Sequence, residues 1–153
     1  MMIAHPPCTY LCSSGLHWNK RVEGREAKTH EAMLFVLNLM GDGFIHNPIP
    51  KIALENPLGR IGTAYRKAEQ VIQPWQFGHP ESKQTALWLK GLPKLVPTNI
   101  LAPSKFQANG RPQWDNQTPT GQNKLGPSPE RWALRSITYP GIASAMANQW
   151  GAT

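Results

Sequence analysis

Apolar residues in this chain come in short blocks, each cut off by proline or glycine. The first block, Met1-Met2-Ile3-Ala4, has the look of a buried strand end. Pro6 and Pro7 stop it, because each fixes φ and removes a backbone donor. Next, Met33, Val36, Leu37 and Met40 fall at i, i+3, i+4 and i+7, which predicts a helix from Glu26 to Met40. Gly41 and Gly43 end it. The run Lys51-Ile52-Ala53-Leu54 stops at Asn56-Pro57 and reads as a second buried strand. Strand, helix, strand predicts a right-handed crossover and two parallel strands. Both carboxyl ends then lie on one edge of the sheet.

Further on, residues 63–70 read as a short polar helix, which Val71-Ile72-Gln73-Pro74 leaves. Thr85-Ala86-Leu87-Trp88-Leu89 predicts a third strand, ending before Gly91 and Pro93. Residues 93–129 are rich in Pro, Asn, Gln, Gly and Thr and read as a long irregular loop. Residues 130–135 suggest a helical turn carrying Trp132. A last helix starts near Thr138 with Pro140 in its first turn, where a missing N–H costs nothing. Its Ile142, Ala145, Met146 and Gln149 share a face, and Trp150-Gly151 ends it. The expectation is one α/β domain over residues 1–153 with a parallel sheet, in which strands ending near Ala4, Leu54 and Leu89 are neighbours.

The 153 residues are 40% hydrophobic, enough for a core, while fifteen prolines and thirteen glycines demand many turns. The formal net charge of +7 suits a polyanion such as DNA. Two cysteines, no leader and no long apolar run point to a cytoplasmic protein with no membrane partner.

Cys8 sits on a stiff turn just after a strand, where α/β sheets place their chemistry. Three readings compete for it. It is a buried structural thiol; or a zinc ligand with His5, Cys12 and His17, at a spacing unlike the common zinc patterns; or a nucleophile with partners elsewhere. Glu55, just inside a buried strand end, is costly without a partner or a task. It would share the sheet edge with Cys8. Trp75, Phe77 and Trp88 are candidates for stacking on a base, although packing is the commoner role of such side chains.

These residues also carry a resemblance. Pro6-Pro7-Cys8, followed by Leu11, Cys12 and Gly15, resembles the Pro-Cys loop of DNA (cytosine-5)-methyltransferases, with Cys12 where that loop has Ser. Ile52-Ala53-Leu54-Glu55-Asn56-Pro57 is similar to their strand ending in Glu-Asn-Val. Phe77-Gly78-His79-Pro80-Glu81-Ser82-Lys83-Gln84-Thr85 resembles their Tyr-Gly-x-Pro-Gln-x-Arg-x-Arg segment, which runs into an apolar strand. Tyr139-Pro140-Gly141-Ile142 looks like the start of their last helix. The four segments follow the family's order, and the chain looks closest to small phage- and prophage-encoded methylase-like proteins.

The resemblance implies a partial Rossmann-like sheet of the S-adenosylmethionine-methyltransferase type. It implies that Cys8 adds as a thiolate to carbon 6 of a flipped cytosine, making carbon 5 able to attack the methyl of S-adenosylmethionine. Glu55 would contact N3 and the exocyclic amine, Asn56 would hold the loop, and Lys83 would orient the base or its phosphate. Thr85 stands where the family has a second Arg. Pro140 and Gly141 open the helix that lines the family's cofactor site. Lys20, Arg21 and Arg25, and also Lys105 and Arg111, would meet DNA phosphates. The family's cofactor half, with its Phe-x-Gly-x-Gly turn and ribose-holding acid, precedes the Pro-Cys loop, and these 153 residues contain no such segment. A sheet lacking those strands would have an open edge inviting a second chain and would be inactive in methyl transfer by itself. A non-catalytic DNA-binding or interaction protein of the same fold, and a small zinc protein, remain alternatives.

Overall fold

The computed structural model describes residues 1–151, the side chain of Trp132 excepted. It divides into two compact units, Met1–Ile72 with Gln84–Lys94, and Gln73–Lys83 with residues 95–151.

The first unit holds a four-stranded mixed sheet. Its elements are β1 (Met2–Ala4), α1 (Ser13–Leu16), a 3-10 turn (His17–Lys20), α2 (Arg25–Met40), β2 (Ile52–Asn56), α3 (Arg60–Ala64), β3 (Gln70–Ile72) and β4 (Thr85–Lys90). The strand order is β1-β2-β4-β3, with β1 and β3 at the edges. β1 and β2 are parallel, pairing Met2 with Ile52, Ile3 with Ala53 and Ala4 with Leu54. The crossover through α2 is the reason: a helix long enough to return the chain permits a parallel partner.

β2 and β4 are neighbours, as the sequence predicts, but antiparallel, and β3 is also antiparallel to β4. This corrects the all-parallel sheet. Between β3 and β4 the chain has only a 3-10 turn and loop, residues 73–84, so no helix carries it back for a parallel return. The predicted helix at 63–70 is corrected too. Helix α3 is earlier and shorter, and Gln70 already belongs to β3.

α2 follows Gly24 (φ 71) and runs sixteen residues free of Gly and Pro. Gly41 (φ 83) ends it in the left-handed conformation, and the Asp42 N–H then bonds the Leu37 carbonyl. Thr29, Met33, Val36 and Met40 are its buried stripe, with Leu37 only half-buried. Met33, Val36 and Met40 pack on Ile52, Leu54, Ala86 and Trp88 of the sheet, with Leu11 and Ile61 completing the cluster. Each of the larger aliphatic side chains contributes about 1.5–3 kcal/mol by burial. Trp88 is fully buried and its indole N–H donates to the Arg66 carbonyl at 2.8 Å, so its role is packing.

The second unit contains a 3-10 turn (Pro74–Gln76), β5 (Lys105–Phe106), β6 (Pro112–Gln113), α4 (Arg131–Ser136) and α5 (Pro140–Trp150). The stretch read as a loop thus carries a two-stranded antiparallel hairpin, β5 with β6, whose turn uses Gly110 at φ 77. Trp75 stacks on Trp114 with ring planes 3° apart and centroids at 5.5 Å, and Phe77 is buried. α5 buries Ile142, Ala145, Met146 and Trp150. Its Gln149 amide accepts from the Val96 N–H and donates to the Val96 carbonyl, as a neighbouring strand would.

Candidate active site

The candidate centre in the first unit is the carboxyl edge of β1 and β2. Pairing of β1 with β2 stops at Ala4 and Leu54, since Pro6 and Pro7 offer no N–H, while Glu55 and Asn56 stay paired with β4. Side chains take over from there. His5 follows Ala4, Glu55 follows Leu54, and His5 Nδ1 lies 2.7 Å from Glu55 Oε2. One residue on, the Asn56 amide donates to the Pro6 carbonyl at 2.7 Å. Asn56 is buried, and its Oδ1 has no hydrogen-bond partner. A buried acceptor left unsatisfied costs about 1–3 kcal/mol, and such groups concentrate where structure serves something besides stability.

The loop beyond is a tight turn. The Cys8 carbonyl accepts from the N–H groups of Leu11 and Cys12, both at 3.0 Å. Cys12 then pairs with Gly59 as an antiparallel bridge. Ser13 N–H donates to Leu58 O at 3.2 Å and Arg60 N–H to Leu11 O at 2.7 Å. Only glycine permits that approach, because a Cβ at position 59 would overlap the Leu11 carbonyl oxygen. Thus the loop bearing Cys8 is tied to the end of β2 by the Asn56 side-chain hydrogen bond before the thiol and by a backbone bridge after it.

Cys8 is exposed, which sets aside its reading as a buried structural thiol. Cys12 is half-buried, with Sγ 3.3 Å from Ser14 Oγ. Among the described residues no group of three or more His, Cys, Asp or Glu side chains is placed to hold a metal ion, so the zinc reading of His5, Cys8, Cys12 and His17 is unsupported. His5 is the residue that sequence reasoning missed as a partner for Glu55. Its signal lies in the register: the parallel pairing of Ala4 with Leu54 puts 5 beside 55.

Lys20 and Arg21 are exposed, and Arg21 lies 5.8 Å from the centre of the Trp18 ring. Arg25 is engaged otherwise than a phosphate contact requires. It is half-buried, donates to the Thr9 carbonyl at 3.2 Å and lies 5.0 Å over the Tyr10 ring, bracing the Cys8 loop.

In the second unit, Lys105 and Arg111 are exposed on the hairpin. Lys83 Nζ donates to the Arg135 carbonyl at 2.8 Å and lies 5.6 Å from the centre of the Tyr139 ring. Tyr139 donates its phenol proton to Glu81 at 2.5 Å, and Gly141 donates its N–H to His79 Nε2 at 2.9 Å. So Lys83 and the Tyr139-Pro140-Gly141 helix start, distant in sequence, are brought together.

Burial, then the bond to Glu81, raises the Tyr139 phenol well above its ordinary value of 10.0. The folded chain therefore holds this proton at a pH where the unfolded chain has released it. That contribution to stability is complete below pH 10 and is lost as pH rises through the folded-state value. Stability is expected to fall above pH 10, and Tyr139→Phe to fall less steeply there. Urea midpoints from pH 9 to pH 11 for both chains check this; parallel curves would contradict it.

No helix among the described residues is long and apolar enough to cross a membrane. Comparison with protein-family models, curated proteins and solved structures finds no match to this chain.

Proposed function

We propose that this chain acts on cytosine in DNA as a cytosine-5 methyltransferase-like protein, with Cys8 as the nucleophile. The observation that carries the reading is the coupling of the proline-stopped Cys8 loop to the Glu55-Asn56 strand end, by the Asn56–Pro6 bond, at the shared carboxyl edge of two parallel strands. That is the placement the two resembling motifs require of each other. The exposure of Cys8 supports it.

In this reaction the Cys8 thiolate forms a bond to carbon 6 of a base turned out of the stack. The C5=C6 pair shifts to C4=C5, and the C4=N3 pair moves to N3. Glu55, facing N3 and the exocyclic amine, supplies the compensating proton at N3. Carbon 5 is then enamine-like and takes an electrophile. Asn56 holds the loop. Lys20 and Arg21 meet phosphates, so binding weakens with salt, and removing either charge lowers the salt slope by about one.

S-adenosylmethionine is the methyl donor that the resemblance implies. The residues assigned to it, Pro140 and Gly141, do not make a site. The Gly141 N–H is bonded to His79, and a Cβ there would overlap the Phe77 carbonyl oxygen, so this glycine serves close packing. No step is routed through the donor.

The addition can be tested without it. A solvent proton at carbon 5, loss of the original hydrogen and expulsion of the thiolate return cytosine with its hydrogen exchanged. Random-sequence DNA, single- and double-stranded, labelled with tritium at cytosine carbon 5 is expected to release tritium to water in the presence of the chain. No release above a protein-free control would end this reading.

A further inference from the structure

We propose that His5 is the positioning residue for Glu55, fixing which carboxylate oxygen faces the base; this deepens the reading above and rests on it. With the proton destined for N3 on Oε1, Oε2 can only accept, so at 2.7 Å the imidazole is the donor, through Nδ1–H to Oε2. That bond occupies one oxygen and leaves Oε1 to meet N3 or the exocyclic amine. A glutamate side chain has three rotatable bonds and, standing at a strand end with a fifth of its side chain exposed, would otherwise sample several rotamers. The prolines make His5 an effective holder. They end the backbone ladder at Ala4 and fix the course of the chain after His5, and the Asn56–Pro6 bond anchors that course to β2. His5 and Asn56 thus act on successive rungs: one aims the carboxylate, the other holds the loop.

The imidazole has two nitrogens at different reach, and this makes the role separable from a generic structural one. The amide nitrogen of Asn falls where Nδ1 lies, whereas that of Gln extends to where Nε2 lies. His5→Asn is therefore expected to keep most of the tritium release. His5→Gln and His5→Ala are expected to lose roughly 10- to 100-fold, the scale of a misplaced reacting group. The loss should fall on the maximal rate rather than on the DNA concentration giving half-maximal rate. Glu55→Gln is measured alongside, and His5→Ala should add little to it, since the two act as one unit.

The outcomes separate cleanly. If the unsubstituted chain releases no tritium, the cytosine reading fails and the His5 role falls with it. If the chain releases tritium but His5→Ala matches it, or His5→Asn is as slow as His5→Gln, the His5 role is overturned while the cytosine reading stands. Rescue by Asn alone, with Glu55→Gln masking His5→Ala, supports the role.

Discussion

Cys8→Ser is expected to abolish tritium release from DNA labelled at cytosine carbon 5, by about a thousandfold or more. A serine hydroxyl is far less acidic than a thiol and far less able to add to an electron-poor ring carbon. Nothing else in the loop can replace it. Cys12 is half-buried, lies next to Ser14 and is pinned by the bridge to Gly59. Cys12→Ser is accordingly expected to leave release within about twofold, given that its burial is partial and serine is of similar size. Cys8→Ser keeps the backbone carbonyl that accepts from the Leu11 and Cys12 N–H groups, so the turn is expected to hold. Matched far-ultraviolet circular dichroism and urea midpoints for the two variants establish that. If Cys8→Ser keeps its release and Cys12→Ser loses it, the nucleophile has been misassigned.

Gly59→Ala is expected to destabilise the chain by about 1–3 kcal/mol, the usual cost of forcing atoms into a packed site, and to lower tritium release with it. The cause is local. The added Cβ would overlap the Leu11 carbonyl oxygen and crowd the Ser13 nitrogen, both backbone atoms that cannot rotate away. Relief means parting the 58–60 segment from the 11–13 segment, which breaks the Ser13–Leu58 and Arg60–Leu11 bonds. Gly62 is the control. It lies within α3, and a Cβ there meets nothing within 4 Å, so Gly62→Ala should stabilise by roughly 0.5–1 kcal/mol. Denaturant midpoints moving in opposite directions bear this out. A neutral Gly59→Ala would mean that the bridge is not closed in solution.

The sequence showed its first half well because strong signals agreed there. Two adjacent prolines, a helical stripe ending in Gly41 and a run ending in Asn56-Pro57 leave a single arrangement for β1, α2 and β2. The rest was less legible for identifiable reasons. β3 is three residues of a polar and apolar mixture, too short for a period to register, so Gln70 reads as the end of a helix and Val71-Ile72 as the chain leaving it. β4 was visible as an apolar run, but direction is decided by its connection, and the twelve residues before it carry no direction signal of their own. The β5–β6 hairpin pairs only two residues per strand. At the candidate site, Cys8, Glu55 and Asn56 stood out by residue type and context. His5 did not as a partner for Glu55, because a lone histidine acquires that meaning only once the register beside Glu55 is known.

The division of the chain has a consequence for how the protein is made and cut. The polypeptide changes units three times, near Ile72, Lys83 and Lys94. Neither unit is one continuous piece, so no single truncation isolates either. During synthesis the sheet must wait as well. β4 pairs with both β2 and β3, so three of the four strands stay without their main partner until the ribosome has passed Lys90. By then residues 73–83 have emerged ahead of most of the unit to which they belong. Fusion tags and reporters therefore belong at the termini. A break in the 73–83 segment would interrupt both units at once, and that segment is the one to probe by limited proteolysis of the nascent chain.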